Sequence, residues 1–362
     1  MKKIAAILLV MVMVFSFAAC AAPKPAETPK ETPTETVDKV AKAYELVKDG
    51  DSKDLPRPDK PTKKYTIGVL LPMLANPHFV AQSYGYYDEA EQLGAEVILF
   101  ECGGYANFDK QIQQMEDLIS MPVDAICLVA AEPNATAPAV DKAVAAGIPV
   151  VNVNVLTNND KVVSRVRSDD LEVGGMEAKF HGEKLNGKGN VLMINGVPGA
   201  TWAVGRAKGY KDYVTANYPD IKILDERWCD NDPAAALKEM DDALQVYGDQ
   251  IDAVYCPGEI FAKGIVQAIE SAGKTGKIIV TAVDPSKDGV ALIKEGKIDA
   301  MVVQSSVGQG RWGIRAAIMA LEGKADQLTK RYWTPINLVT AENVNDFVFV
   351  DKSMPAEGWV LP

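Results

Sequence analysis

The chain has 362 residues, 48% of them hydrophobic and 24% charged, with a formal net charge of −11. This is the composition of a globular protein, and the acidic balance argues against nucleic acid as a partner, because phosphate binding needs clustered Lys and Arg. The cysteines form no C-x-x-C pair and the only histidines are His78 and His181, so no metal or other cofactor is predicted.

The N-terminus opens with Lys2 and Lys3, an apolar run from Ile4 to Phe17, then Ala18, Ala19 and Cys20. The run is shorter than the roughly 20 residues a membrane-spanning helix needs, so it reads as an export signal. The small residues before the cysteine resemble a bacterial lipobox, which implies a lipoprotein signal over 1–20, lipidation of Cys20, and a protein held on the outer face of the cell membrane or in the periplasm. From Ala21 to about Thr36 the chain is nearly all Ala, Pro, Lys, Glu and Thr, too polar to offset the entropy of ordering. Val37, Val40, Ala41, Tyr44 and Val47 recur at helical spacing. Residues 21–64 are therefore expected to be a flexible tether with one short helix, and the globular part to begin near Tyr65.

About 300 residues remain, too many for one ordinary core and enough for two domains. YTIGVLLP, AEVILFEC, DAICLVA and IPVVNVNV are near-continuous apolar runs of strand length, the first three followed by helix-period segments ending near Gly94, Met121 and Gly147. Continuous apolarity implies burial on both faces, the demand of a parallel sheet between helices. The rhythm restarts with NVLMING, IKILDERWC, AVYCPG and IIVTAVDP, separated by helices such as AAALKEMDDALQVYG and IFAKGIVQAIESAG. Cys102 and Cys229 end the second strand of each half, and Cys127 and Cys256 lie in the third, where buried free thiols are expected. The predicted fold is α/β, with two doubly wound Rossmann-like lobes.

In such sheets ligands bind beyond the carboxyl ends of the strands. The candidates there are Asn76, His78, Phe79, Tyr105, Glu132 and Asn154 on the first lobe, and Trp202, Arg206, Trp228, Asn231, Glu259, Asp284 and Gln304 on the second. Amides, rings and a few charges suit a small polar ligand held by hydrogen bonds and stacking. Gly273, Lys274 and Thr275 close a helix and lack the earlier glycine of a phosphate loop, and Ala234 and Ala235 spoil a calcium loop begun at Asp230. With no G-x-S-x-G elbow or paired acid and base, the reading is a binder, not an enzyme.

NPHFV at Asn76, GIPVV at Gly147, SDDLEVGG at Ser168, NGVPGATWAVGRAKGY at Asn195 and AVDPSKDG at Ala282 together resemble a type I periplasmic solute-binding protein of the ribose and galactose group. The resemblance implies two lobes joined by a three-strand hinge, with crossings near 167–170, 304–306 and 333–336. The N-terminal lobe would then span 65–168 plus 305–333, and the C-terminal lobe 169–304 plus 334–362. It also implies a monomer that closes on a sugar or sugar-like polyol and delivers it to an ABC transporter permease. Asn76, Phe79, Arg206, Asp284 and Gln304 stand at that group's contact positions, whereas Asn154 and Val155, Asn231, and Gly258 with Glu259 depart from its pattern. A second stretch, ECGGYANFDKQ with CDNDPAAALKEM, is similar to periplasmic trimethylamine N-oxide-binding proteins that serve a sensor kinase. An amine or amine oxide held by Tyr105, Trp202 and Trp228 is therefore the alternative ligand, and a sensor kinase the alternative partner.

Overall fold

The computed structural model describes residues 51–52 and 54–362. The signal, Cys20 and the helix expected over 37–47 lie outside the described residues. Along the chain run β1 (Asp51–Ser52), β2 (Thr66–Leu71), α1 (Pro77–Leu93), β3 (Glu96–Glu101), α2 (Phe108–Ser120), β4 (Ala125–Leu128), α3 (Ala137–Ala145), β5 (Val150–Val153), β6 (Ser164–Arg167) and α4 (Asp170–Lys184). There follow β7 (Lys188–Ile194), α5 (Thr201–Asn217), β8 (Asp220–Arg227), α6 (Pro233–Tyr247), β9 (Ala253–Tyr255), α7 (Glu259–Ser271) and β10 (Ile279–Val283). The chain ends with α8 (Lys287–Lys294), β11 (Ala300–Gln304), α9 (Ser306–Leu321), β12 (Arg331–Trp333) and β13 (Ile336–Thr340).

Two sheets organise these elements, ordered β1-β12-β6-β5-β4-β2-β3 and β13-β11-β10-β9-β7-β8. The first is wholly parallel, and in the second only β13 runs antiparallel, against β11. Every residue of β4, β5, β9 and β11 is buried, as strands covered by helices on both faces must be. The chain crosses between sheets after β6, after β11 and between β12 and β13, giving the two α/β lobes and three-strand hinge that the sequence implies. No helix among the described residues is long and apolar enough to cross a membrane.

Local chemistry sets the helix starts that face the cleft. Asn76 caps α1 by accepting from the His78 backbone N–H at 3.0 Å, and Pro77 occupies the first helical position, where its missing N–H costs nothing. Asp232 caps α6 in the same way ahead of Pro233. Helix pairs then lock at glycines. A Cβ on Gly85 of α1 would strike the Val307 carbonyl of α9, and one on Gly174 of α4 would strike the Arg206 carbonyl of α5. The second contact sets the position from which Arg206 enters the site.

Two expectations are corrected. The ordered chain begins well before Tyr65: β1 pairs with β12, Leu55 is buried, and the Glu89 carboxylate takes Arg57 on one side and Arg315 on the other. Segment 54–64 is polar, yet long-range ion pairs hold it, which local composition does not reveal. The tail also departs from its expected lobe. β13 belongs to the second sheet, but Asp351 accepts from Arg311 at 2.9 Å and Tyr84 at 3.2 Å, and Trp359 meets the Tyr84 ring edge-on, so residues 351–359 lie on the first lobe. Cys102, Cys127, Cys229 and Cys256 are all buried and free.

Candidate functional site

The carboxyl ends of both sheets face a common cavity of about 250 Å3. The first lobe contributes the loop after β2 with the first turn of α1 (Ala75, Asn76, Pro77, His78, Phe79), Tyr105 after β3 and Asn154 after β5. The second contributes Trp202 and Arg206 of α5, Asn231 and Pro233 after β8, residues 257–261 and Lys263 after β9, and Asp284 after β10. Asn154 and Asp284 each hold a left-handed backbone, with φ of 57° and 64°. That conformation is costly for most side chains and tolerated best by Asn and Asp, and it turns the chain sharply as each strand ends.

A paired charge network forms the floor. Arg206 is buried, donates to Asp170 at 3.0 Å and to the Pro257 carbonyl at 2.5 Å, and lies 3.9 Å from Asp284. Burial works against its charge, but Asp170 and Asp284 outweigh that cost and raise its pKa. Asp284 accepts from both sides: the Gln304 amide at 2.8 and 3.0 Å, and His78 Nδ1 from the opposite lobe at 3.4 Å. Burial alone would raise the Asp284 carboxyl; His78, Arg206 and Gln304 hold it below the usual carboxylate range. Glu259 is likewise engaged, accepting from the Ser286 backbone N–H and hydroxyl and pairing with Lys263 at 3.2 Å.

An aromatic wall stands beside this floor. Trp202 lies 6.3 Å from the Tyr105 ring across the cleft and 6.2 Å from Phe261, with the Arg206 guanidinium 5.3 Å from its centroid. Its indole N–H is buried beside the Tyr105 hydroxyl. Phe79 meets His78 edge-on at 5.1 Å. Asn231 reaches the first lobe, donating to the Met73 sulfur at 3.5 Å. Rings for C–H faces and amides for hydroxyls thus alternate around the cavity.

Of the residues singled out from the sequence, all but Glu132, Trp228 and Gln304 line this cavity. The Glu132 carboxylate closes its own turn, accepting from the Ala135 backbone N–H and from Asn134. Trp228 packs against Val204 of α5 and does not line the cavity, so the three-ring cage of Tyr105, Trp202 and Trp228 is not assembled there. Gln304 stands behind Asp284 and orients it. The sequence reading missed Asp170, Phe261 and Lys263. For Asp170 a signal existed: of the adjacent acids in SDDLEVGG, Asp169 caps α4 by accepting from Leu171 N–H at 3.0 Å, leaving Asp170 for the cleft.

A model of the periplasmic binding protein domain matches residues 67–325. The ribose import binding protein of Bacillus subtilis (strain 168) is 33% identical over 267 residues, 74% of this chain and 85% of that protein. A xylitol-binding protein of Mycolicibacterium smegmatis is 30% identical over 235 residues, 65% of this chain and 66% of that one. A solved ABC transporter solute-binding protein of Bacillus halodurans C-125 with bound myo-inositol superposes with a TM-score of 0.72 at 26% identity, covering 80% of this chain and 98% of that one.

Proposed function

The chain belongs to the periplasmic binding protein family, and from that premise we propose that it captures one neutral sugar or sugar-like polyol between its lobes, outside the cytoplasm, and presents it to an ABC transporter. The observation that carries this reading is that the charges in the cavity are already satisfied within the protein. Arg206 sits between Asp170 and Asp284, and Glu259 is engaged by Ser286 and Lys263. A ligand therefore meets oriented polar groups and ring faces instead of an unmatched charge. Hydroxyls both donate and accept, so they suit the Trp202 indole, the Asn76 and Asn231 amides and the outer edge of Asp284. The C–H faces of a small ring or chain suit Tyr105, Trp202 and Phe79. A cavity of about 250 Å3 leaves room for a single monosaccharide-sized molecule.

Closure is the working step. A ligand favours the closed form only through contacts it gains there, and His78, Tyr105 and Asn154 on one side with Trp202, Arg206 and Asp284 on the other would supply them. The Cys20 lipid and the chain before Asp51 would keep the closed form close to its membrane partner. The test is the melting temperature of residues 21–362 with D-ribose, D-allose, xylitol, myo-inositol, glycine betaine and trimethylamine N-oxide. A ligand at about 100 times its dissociation constant adds about 2.7 kcal/mol of stability. A shift with one of the polyols is expected, whereas a shift with an amine alone would replace the polyol reading.

A further inference from the structure

Beneath the cavity a chain of buried side-chain hydrogen bonds runs into the hinge. His78 Nε2 lies 2.7 Å from Asn154 Nδ2, and the same amide donates to Gln309 Oε1 at 2.8 Å. Gln309 also accepts from Gln82 at 3.1 Å and donates to Ser168 Oγ at 3.2 Å. Ser168 in turn lies 3.0 Å from Thr334 Oγ1. Ser168 follows β6 and Thr334 follows β12, so these hydroxyls sit on two of the three crossings. On the third, Ser306 Oγ lies 2.9 Å from His78 Nδ1. Gln309 is fully buried and does not line the cavity.

In this arrangement Gln309 donates to Ser168 Oγ, and its oxygen accepts from Asn154 and Gln82. Asn154 must then turn its NH2 group toward both Gln309 and His78. His78 Nε2 can only accept there, which leaves the ring proton on Nδ1, pointing at Ser306 and at Asp284 across the cleft.

We infer that Gln309 is a positioning residue: it selects, through Asn154, the His78 tautomer that donates to Asp284 of the opposite lobe, and it ties that contact to the crossing strands. The inference rests on the reading of this cavity as a ligand site that works by closure. Gln309 would then set how firmly a ligand is held without touching it.

The chain contains two histidines, so 15N-histidine labelling of residues 21–362 yields two ring systems. His181, paired with Tyr210 at 2.7 Å, is the internal reference. The wild type is expected to carry the His78 proton on Nδ1. In Gln309→Leu the single tautomer is lost while the His181 signal persists, and affinity for whichever of D-ribose, D-allose, xylitol or myo-inositol binds the wild type falls at least about tenfold. Gln309→Glu keeps an acceptor for Asn154 and is expected to retain the tautomer. A wild-type His78 protonated on Nε2 overturns the inference before any variant is made, as does a leucine variant with unchanged tautomer or affinity within twofold. Because the tautomer is read without ligand, failure of every polyol to bind would count against the proposed function alone.

Discussion

Glu177 offers a test of the structure that needs no ligand. It is a buried residue of α4 whose carboxylate faces β10 and accepts from Thr281 at 2.8 Å, and burial pushes its pKa up to about 8. An ordinary carboxyl of this type titrates at 4.5, so at 1.36 kcal/mol per pKa unit the difference corresponds to about 5 kcal/mol. The folded chain keeps a proton that the unfolded chain releases between these values. This group's contribution to stability is therefore complete below about pH 4.5, declines as pH rises, and is lost above about pH 8. Glu177→Gln keeps the volume and removes the titration. Guanidinium unfolding of both proteins from pH 5 to 8.5 should show the variant gaining on the wild type by at least about 2 kcal/mol, with about 5 kcal/mol as the ceiling. Groups common to both proteins cancel in that difference. Parallel pH profiles would refute the assignment of Glu177 as a buried, neutral acid.

Asp284→Asn removes a charge that faces Arg206, Gln304 and His78, and the loss of one charge-assisted hydrogen bond of about 1.5–3 kcal/mol predicts a fall of roughly 10-fold to 150-fold in affinity by titration calorimetry. Affinity within twofold would place the ligand elsewhere. Glu89→Ala leaves Arg315 and Arg57 without their shared carboxylate, a loss on the order of 3 kcal/mol after allowing for the half-exposed Arg57. Denaturant unfolding should show that loss with ligand affinity unchanged. Gly174→Ala inserts a methyl group against the Arg206 carbonyl, at a cost of about 1–3 kcal/mol. Melting temperature and affinity should fall together in that variant, and a drop in stability alone would mean that α4 does not position Arg206.

What the sequence makes legible follows the range of the interactions concerned. β4 and β5 announce themselves because AICL and VVNV are buried on both faces, and that requirement is written locally. β6 reads SRVR and β12 reads RYW, short and charged, and they become strands by pairing within the sheet, β6 between β5 and β12, and β12 between β6 and β1, the β6–β12 pair joining residues far apart in sequence. Leu55 and Arg57 stand in a run of Pro, Lys and Asp, and their order comes from Glu89 and Arg315, which no local window contains. The strand-end rule finds the residues that line the cavity because topology brings those ends together. It misplaces Glu132 because a loop carboxylate can serve its own backbone as readily as a ligand, and Trp228 because a ring beside a strand end can turn into the helix layer.

The two lobes use one device from opposite sides of the cleft. Each ends a central strand with a polar residue in the left-handed conformation, Asn154 after β5 and Asp284 after β10, and both side chains converge on the His78 ring. One meets Nε2 at 2.7 Å and the other Nδ1 at 3.4 Å, so the first lobe fixes the histidine while the second touches it more loosely. That asymmetry fits the proposed function, in which closure would depend on the ligand. A tight interlobe pair would close the chain unaided, and a ligand could then add little, since it shifts the equilibrium only by what it gains in one state over the other. A longer His78 to Asp284 contact, with Arg206 at 3.9 Å from the same carboxylate, leaves polar capacity at the centre of the interface. Under the proposed function, hydroxyls placed there would complete the network, and the energy of doing so would become the energy of closure.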